Sequence, residues 1–327
     1  MSARRRDRPL SAAGRSVGGI LVIDKPSGMT SYDVIRVVKR YLRPRKIGHT
    51  GTLDPLASGV LPVVINGATR IVPFLDERVK RYEGTLRLGV VTDSDDSTGR
   101  VIEETPLHGA GPAEDRIQEV FGLFVGRIRQ VPPMFSAAKH RGRPLYEFAR
   151  RGIQVERRER DVEIFSLEVM RIDLPLVDFR VSCSRGTYVR ALVRQIGEEL
   201  GVGAHLCRLR RISSGPFTLG QALTLEEFER LAEEGGMEDR IISPREALAS
   251  MPEIEIDSDL GSRISTGGRV LLRDLEGLRL PCVGRGQEVK ILHKGEVLAI
   301  AKTRVSIGQK GGQMLEGPAL SLLRVFA

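Results

Sequence analysis

The chain has 327 residues, enough for more than one domain, and its hydrophobic content of 41% is ordinary for a globular protein. No run of about eighteen apolar residues exists, which excludes a membrane-spanning helix. The net charge of +9 and the isoelectric point near 9.8 favour a polyanionic partner, most commonly a nucleic acid, over a merely soluble basic protein.

The three cysteines lie far apart in the sequence, and the five histidines are dispersed. No CxxC pair and no HExxH sequence occurs, so neither a zinc ribbon nor a redox motif is available. An odd number of scattered thiols is typical of a reducing compartment. We therefore predict a cytoplasmic protein that holds no metal.

The N-terminal segment, residues 1–17, carries five arginines against one aspartate and shows no apolar period. This composition predicts a basic, disordered tail. The missing apolar region excludes a secretory signal, and the missing amphipathic face disfavours an organellar transit peptide. A tail that contacts phosphates and a tail without a role both remain open.

Ordered structure is predicted to begin with a short buried strand over residues 19–24. A helix follows over 32–42, with Thr30 or Ser31 as its cap. The apolar run at 60–65 is buried, but its periodicity does not separate strand from helix. Alternation over 82–91 predicts a strand that is buried on one face.

A second alternating strand is predicted at 177–183, followed by a break and a helix from about 187 to 200 that ends at Gly201. Strands and helices without regular βαβ alternation indicate an α+β fold with a largely antiparallel sheet. From about residue 252, short apolar runs separated by glycine-bearing turns predict a small β domain. We place the domain boundary just after Ser250, giving domains at 18–250 and 251–327.

The stretch from Gly48 to Gly59 places Asp54 among glycines and threonines. A carboxylate is a nucleophile when it stays ionised beside an electrophilic carbon, and in a partly dry pocket this requires a cationic partner. Asp54 is also followed by Pro55, and Asp-Pro is a routine turn dipeptide. On spacing alone an ordinary turn is favoured. No phosphate-binding loop, dinucleotide fingerprint or nucleophile elbow occurs elsewhere.

Six short motifs follow one another over roughly residues 19–215. They are KPSGMTS (Lys25–Ser31), GHTGTLDPLASGVLPVVINGATR (Gly48–Arg70), KRY (Lys80–Tyr82), CSRGTYVR (Cys183–Arg190), GAHL (Gly203–Leu206) and LRR (Leu209–Arg211). In this order the motifs resemble those of the TruB family of tRNA pseudouridine synthases, and together they are far more specific than any one of them.

This resemblance implies the pseudouridine synthase fold and isomerisation of uridine to pseudouridine without a cofactor. It implies that Asp54 is the nucleophilic aspartate and that Arg190 pairs with it. The spacing alone instead predicts that Arg190 lies at the surface, because Arg190, Arg194 and Glu198 form a row of charged residues at i, i+4 and i+8. The surface interpretation stays open for Arg194 and Glu198.

The resemblance also implies the residues that contact the target base. Tyr82 would stack on it and is a candidate for removing its carbon-5 proton, although an edge-of-core tyrosine is also possible. Tyr188 and Leu209 would line the pocket. His49 would help to hold the rearranged RNA loop, or would be a hydrogen-bonded loop histidine. Lys25 would be structural or would contact a phosphate.

The segment at about 128–155 resembles the RNA-gripping insertion of this family. Residues 139–160 hold eight Lys or Arg against three Glu, and Phe135, Tyr146 and Phe148 lie within or next to this stretch. Basic side chains follow phosphates while aromatic side chains stack on bases. The alternative is an amphipathic helix on a charged surface, which residues 145–151 favour. We expect the segment to be mobile without RNA.

The C-terminal domain resembles a PUA domain, a small RNA-binding β-barrel, through GEVLAIAK at 295–302. An unrelated small β module is the alternative, since Ala301 stands where PUA domains often have glycine. The Pro55–Gly59 run and the long insertion resemble the bacterial, stand-alone branch, which implies a monomer acting on uridine 55 in the TΨC loop of tRNA. A non-catalytic tRNA-binding protein and a guide-RNA-dependent synthase subunit are the rival hypotheses.

Overall fold

The computed structural model describes residues 18–76, 78–107, 111–308 and 317–326. The basic tail predicted at residues 1–17 lies outside the described residues. The described residues form two main sheets with helices packed against them.

The first part of the chain contains most of the helices and strands. They are β1 (Gly19–Lys25), α1 (Ser31–Leu42), β2 (Ile47–His49), β3 (Ser58–Ile65), β4 (Val79–Leu88), β5 (Val90–Thr92), β6 (Val101–Glu104), α2 (Glu114–Leu123), β7 (Gly126–Gln130), β8 (Lys139–His140), β9 (Arg143–Pro144), α3 (Leu145–Ala149), β10 (Arg160–Asp173), β11 (Leu176–Ser184), α4 (Val189–Glu199), β12 (Ala204–Ser214), β13 (Phe217–Thr218), α5 (Leu225–Glu234) and α6 (Pro244–Ala247).

The larger sheet has nine strands among the described residues, with β1, β3, β12, β4, β11, β10 and β7 in this order and β2 and β13 paired to its first half. All of its strand pairs are antiparallel except the short parallel contact between β3 and β12. The predicted α+β fold with a mixed, largely antiparallel sheet is therefore confirmed.

Local sequence explains why the first elements begin where they do. Thr30 caps α1: its hydroxyl accepts from the Asp33 amide at 3.1 Å, and the Asp33 carboxylate accepts from the Thr30 amide at 2.8 Å. Such reciprocal capping satisfies two amides that the helix itself cannot pair. The ambiguous run at 60–65 lies in strand β3, which is buried along nearly all of its length because the sheet is covered on both faces there.

Two predicted boundaries shift for identifiable reasons. The strand predicted over 82–91 is divided between β4 and β5, because Gly89 adopts a positive φ of 81°. The helix predicted from about Thr187 begins at Val189, after a turn in which the Thr187 amide donates to the Ser184 carbonyl.

The C-terminal part has its own sheet and its own apolar core. Its elements are β14 (Glu253–Ile256), α7 (Ser258–Ser265), β15 (Val270–Leu271), β16 (Glu288–His293), β17 (Glu296–Thr303) and β18 (Pro318–Val325). The five-stranded sheet fits the predicted small β domain, while α7, capped by Asp257 on the Leu260 amide, was not predicted. The division at residue 250 stays a prediction.

The two parts of the chain pack on each other. Arg70 donates to the Phe326 carbonyl at 2.8 Å and lies over its ring. The buried Lys290 donates to the Leu248 carbonyl at 2.9 Å. A shared apolar cluster joins Ile300 of β17 to Ile20 and Val22 of β1. These contacts fix the position of the C-terminal sheet against the edge strand of the larger one.

Candidate active site

The loop that carries Asp54 is held by the first residue of α1 and by the turn before it. The Ser31 hydroxyl accepts from the Leu53 amide at 2.9 Å and donates to the Leu53 carbonyl at 3.1 Å. The Gly28 amide donates to the Pro55 carbonyl at 2.8 Å, and the Ala57 amide donates to the Asp54 carbonyl at 3.0 Å. A loop fixed on both sides of a carboxylate holds that carboxylate in one place before a substrate arrives.

Asp54 forms an ion pair with Arg190, which lies in the first turn of α4. The Arg190 Nε is 2.8 Å from Asp54 Oδ2. The arginine side chain is 3% exposed and the aspartate side chain 34%, so the carboxylate lies at the boundary between protein and cavity. A buried guanidinium is tolerated when it is paired and hydrogen-bonded, and Asp54 supplies one of these partners.

The remaining nitrogens of Arg190 contact two distant segments. Nη1 donates to the Ser94 carbonyl at 2.9 Å, and Nη2 donates to the Phe135 carbonyl at 2.7 Å. Nη1 also lies 3.6 Å from a carboxylate oxygen of the buried Asp96. The surface interpretation of Arg190 is therefore wrong. The next two members of that row, Arg194 and Glu198, pair with each other at 2.7 Å, and Arg194 also lies 3.4 Å from the largely buried Asp95.

The sequence analysis did not single out Asp96, which lies just after β5. Its carboxylate accepts from the hydroxyls of Ser94 at 2.8 Å and Thr98 at 2.5 Å, and from the Thr98 amide at 3.0 Å. Nothing in the spacing separates it from Asp93 or Asp95. Burial and closeness to Arg190 distinguish it, and both depend on the fold.

A cavity of about 230 Å³ opens beside Asp54. Three residues predicted to contact the base, Tyr82, Tyr188 and Leu209, lie in its wall together with Asp54. Its other lining residues are Thr52, Leu53, Ala57, Lys80, Ser136, Ala137, Gly186, Thr187 and Val189. The cavity thus combines one carboxylate, two aromatic rings and an apolar floor, as a site for a planar, weakly polar ring would.

The two tyrosines are held in different ways. Tyr82 is 7% exposed within β4, and burial raises the pKa of its phenol. The backbone of Tyr188 is fixed by Gln130 at the end of β7. The Tyr188 amide donates to the Gln130 side-chain oxygen at 3.0 Å, and the Gln130 side-chain nitrogen donates to the Tyr188 carbonyl at 3.3 Å.

Lys25 and His49 do not line this cavity. Lys25 is completely buried, and its ammonium donates to the carbonyls of Met29 at 2.6 Å and Pro26 at 2.9 Å. Burial lowers the pKa of Lys25 to about 8, while the charge of Asp54 opposes this effect. The ammonium also donates at 3.5 Å to the carbonyl of Pro55, the residue after Asp54, so its contacts are those of a residue that supports the loop.

His49 is half-buried at the end of β2. Its Nδ1 makes no hydrogen bond to any residue that the structure describes. Burial, with smaller effects of the charges on Arg211 and Lys80, lowers the pKa of its imidazole. The ring is therefore neutral at physiological pH.

The insertion at 128–155 contains the end of β7, the β8–β9 hairpin and the short helix α3. The helix covers Leu145–Ala149, shorter than the stretch that the sequence favoured. Phe135 and Tyr146 are 38% and 37% exposed. Phe148 instead packs edge-on against His140, with the ring centroids 5.9 Å apart. The Arg150 guanidinium lies 5.4 Å from the centre of the Tyr146 ring.

Sequence models of two family domains match this chain. The TruB family pseudouridylate synthase N-terminal domain matches residues 39–189, and the tRNA pseudouridylate synthase B C-terminal domain matches residues 190–250. Proteins called tRNA pseudouridine synthase B are 44% identical in Geobacter sulfurreducens, over 94% of this chain and 99% of that protein, and 45% identical in Dechloromonas aromatica, over 80% and 86%. The chain belongs to the TruB family. It is an isomerase, as predicted: a tRNA pseudouridine synthase.

Solved structures agree with this assignment. A chain from an H/ACA RNP bound to a substrate RNA containing 2′-deoxyuridine superposes with a TM-score of 0.71 and 29% identity, covering 96% of this chain and 86% of that one. A chain from a Cbf5–Nop10–Gar1 complex superposes with a TM-score of 0.70 and 31% identity, covering 98% of this chain and 88% of that one. The pseudouridine synthase fold is thereby confirmed. Within the described residues, no helix is long and apolar enough to cross a membrane.

Proposed function

We propose that this enzyme isomerises uridine 55 in the TΨC loop of tRNA, with Asp54 as the nucleophile, in the cytoplasm and without a cofactor or obligatory partner. The observation that carries the proposal is the Asp54–Arg190 ion pair at 2.8 Å, which faces a cavity walled by Tyr82, Tyr188 and Leu209. The names of the bacterial relatives support tRNA as the substrate.

The reaction breaks the bond between carbon 1′ of the sugar and nitrogen 1 of uracil and forms a bond between carbon 1′ and carbon 5. The proton on carbon 5 leaves and nitrogen 1 gains one, so atoms and charge balance without a redox step. Asp54 acts either by adding to carbon 6 of the base or by assisting glycosidic cleavage and taking the proton on carbon 2′. Both routes require a carboxylate fixed next to the nucleoside, and the Arg190 contact at 2.8 Å supports such a fixed position.

The target base must leave its stack to reach this cavity, at a cost of a few kcal/mol. The exposed rings of Phe135 and Tyr146, together with the basic side chains around them, are suited to offset that cost by stacking and phosphate contact. His49, at the end of the short strand before the Asp54 loop, is placed to contact the rearranged RNA loop.

A guide-RNA-dependent role is a second candidate, because both compared solved chains come from multi-component RNA–protein or protein complexes. The 44% identity to a bacterial protein named tRNA pseudouridine synthase B, over 94% of this chain, favours the stand-alone enzyme. A non-catalytic tRNA-binding protein would not need the carboxylate and the guanidinium that the fold brings together.

The deciding experiment measures tritium release from a tRNA transcript labelled at carbon 5 of uridine, using the purified protein alone. We expect about one tritium per tRNA from the wild type. Asp54→Asn, which keeps the side chain's size but removes its charge, should lower the rate by at least about 10³-fold while still binding tRNA. Position 55 is tested by replacing that uridine with cytidine, which should abolish release.

Tight tRNA binding without release by the wild type would count against a stand-alone synthase and favour the guide-dependent or the non-catalytic role. Equal tritium release from wild type and Asp54→Asn would contradict the role of Asp54 as the nucleophile.

A further inference from the structure

Strands β4 and β12 bring together Tyr82, one of the two tyrosines in the cavity wall, and an arginine to which no role has yet been assigned. Arg211 lies directly opposite Tyr82 in their antiparallel register. Directly opposed residues project from the same face of a sheet, with Cβ atoms about 5 Å apart. Both side chains are buried, Arg211 completely. A permanent positive charge therefore lies next to the phenol of Tyr82.

The Arg211 guanidinium is fixed by two of its three nitrogens. Nε donates to the Val60 carbonyl at 2.7 Å, and Nη2 donates to the Gly51 carbonyl at 3.0 Å, in the loop that carries Asp54. The third nitrogen, Nη1, is buried and makes no hydrogen bond to any residue within the described ranges. A buried charged donor that lacks a hydrogen-bond partner costs free energy. A role limited to supporting the loop therefore does not explain why Nη1 is buried without one.

Several charged or titratable groups face Tyr82. Burial is the largest influence and raises the pKa of its phenol, while the charge of Arg211 lowers it. Cys183 on the neighbouring strand and Asp54 across the cavity act in the raising direction. Lys80 lies two residues earlier on β4 and lines the same cavity. Because a guanidinium keeps its proton at all ordinary pH values, Arg211 acts on the phenol over the whole working range.

We propose that Arg211 is a positioning residue for the isomerisation: its guanidinium stabilises the phenolate of Tyr82, which then accepts the proton from carbon 5 of the target base. The inference rests on the proposed function. In this step the carbon–hydrogen bond breaks, its electron pair restores the ring double bond, and the proton passes to the phenolate oxygen. The phenol later releases that proton to water, and nitrogen 1 gains its proton from water.

The electrostatic link is tested without tRNA by incorporating 3-fluorotyrosine and following the fluorine resonances against pH. The chain has five tyrosines, and the resonance of Tyr82 is assigned by its loss in Tyr82→Phe. In Arg211→Gln we expect the apparent pKa of Tyr82 to rise by about 1 to 3 pH units, the effect of losing an opposite charge at close range. Arg211→Lys keeps a positive charge, so the rise in the Tyr82 pKa should be smaller. Some rise should remain, because one ammonium cannot contact both carbonyls and also approach the phenol.

The matched control is Arg210, the preceding residue on β12. Its side chain is partly exposed and pairs with Asp24 at 2.6 Å. Arg210→Gln should leave the titration of Tyr82 unchanged. If the glutamine variant of Arg211 does not fold, the lysine variant decides. An unchanged Tyr82 pKa in the folded variants of Arg211, or an equal rise in Arg210→Gln, would overturn the proposal.

The kinetic arm uses tRNA that carries deuterium at carbon 5 of the target uridine. Weaker stabilisation of the phenolate slows proton removal, so single-turnover rates of the Arg211 variants should show a larger isotope effect than the wild type. An isotope effect equal to that of the wild type would contradict the role in proton transfer. A wild type without any activity would instead refute the proposed function, while the fluorine titration would still report on the link between Arg211 and Tyr82.

Discussion

The side chains around Asp54 are buried and held from several parts of the chain, whereas the insertion at 128–155 carries aromatic and basic side chains on its surface. Arg190 alone joins three segments, through Asp54, the Ser94 carbonyl and the Phe135 carbonyl. Tyr146, by contrast, is 37% exposed and lies against Arg150. The difference is the one expected if the Asp54 region rearranges bonds and the insertion binds RNA, as proposed. Bond rearrangement needs groups fixed in advance, and RNA binding needs groups that are accessible.

The two regions are nevertheless connected at their boundary. The Phe135 carbonyl, at the start of the exposed part, accepts from Arg190, and Gln130 holds the backbone of Tyr188. Under the proposed function, contact of the insertion with RNA would therefore be mechanically close to the Asp54 carboxylate. We expect mutations in the pocket to alter the rate and stability, and mutations at the insertion's surface to alter affinity.

The largest effect is expected at Arg190. Arg190→Met leaves the carboxylates of Asp54 and Asp96 without their shared cation, which should lower the free energy of unfolding by about 3 kcal/mol. Arg190→Lys restores the charge but not the three directed contacts, so its single-turnover rate should still be about 10²-fold below that of the wild type. Urea unfolding and tritium release measure the two quantities.

Arg230 provides the control for this prediction. It lies on α5 and pairs with Glu234 at 3.1 Å, and both side chains are exposed. Exposed ion pairs contribute about 1 kcal/mol or less, so Arg230→Met should cost correspondingly little stability. If Arg190→Met and Arg230→Met were equally stable, the pocket would not be held together as the structure indicates.

A smaller effect, confined to affinity, is expected at the exposed ring of Tyr146. Stacking of one base on an aromatic side chain contributes about 1 to 3 kcal/mol, so Tyr146→Ala should weaken tRNA binding by about 5-fold to 150-fold. The rate at saturating enzyme should stay within about 3-fold of the wild type, since Tyr146 does not line the cavity. Filter binding and single-turnover kinetics separate the two.

Phe165 on β10, another exposed aromatic side chain, is the control, and Phe165→Ala should leave binding unchanged. A loss of rate in Tyr146→Ala at saturation, with unchanged affinity, would mean that the insertion takes part in the chemistry and would break the division between the two regions.

The sequence could predict the elements whose periodicity is local, together with the family to which the motifs belong. Helix α1 and its cap at Thr30 follow from nearby residues, and β11 follows from its alternation. Arg190 could be assigned to Asp54 only through the motif resemblance, since the two residues are 136 positions apart. Asp96 could not be predicted, because its partner Arg190 is also remote in the sequence and its turn contains other aspartates.

The last expected effect, which appears only at alkaline pH, concerns Lys25, a residue that supports the Asp54 loop. The pKa of Lys25 is about 8 in the folded protein and about 10.5 as an ordinary lysine, mainly because burial disfavours its charged form. Between these values the unfolded chain binds more protons than the folded one, so the contribution of Lys25 makes stability rise as the pH increases from about 8 to 10.5 and leaves it constant below that range. Lys25→Met should remove this rise from urea unfolding measured at several pH values, whereas Lys39→Met, at an exposed position on α1, should retain it. The same pH dependence in Lys25→Met and wild type would show that the ammonium is solvated, and that the loop is held less rigidly than the contacts at Met29 and Pro26 indicate.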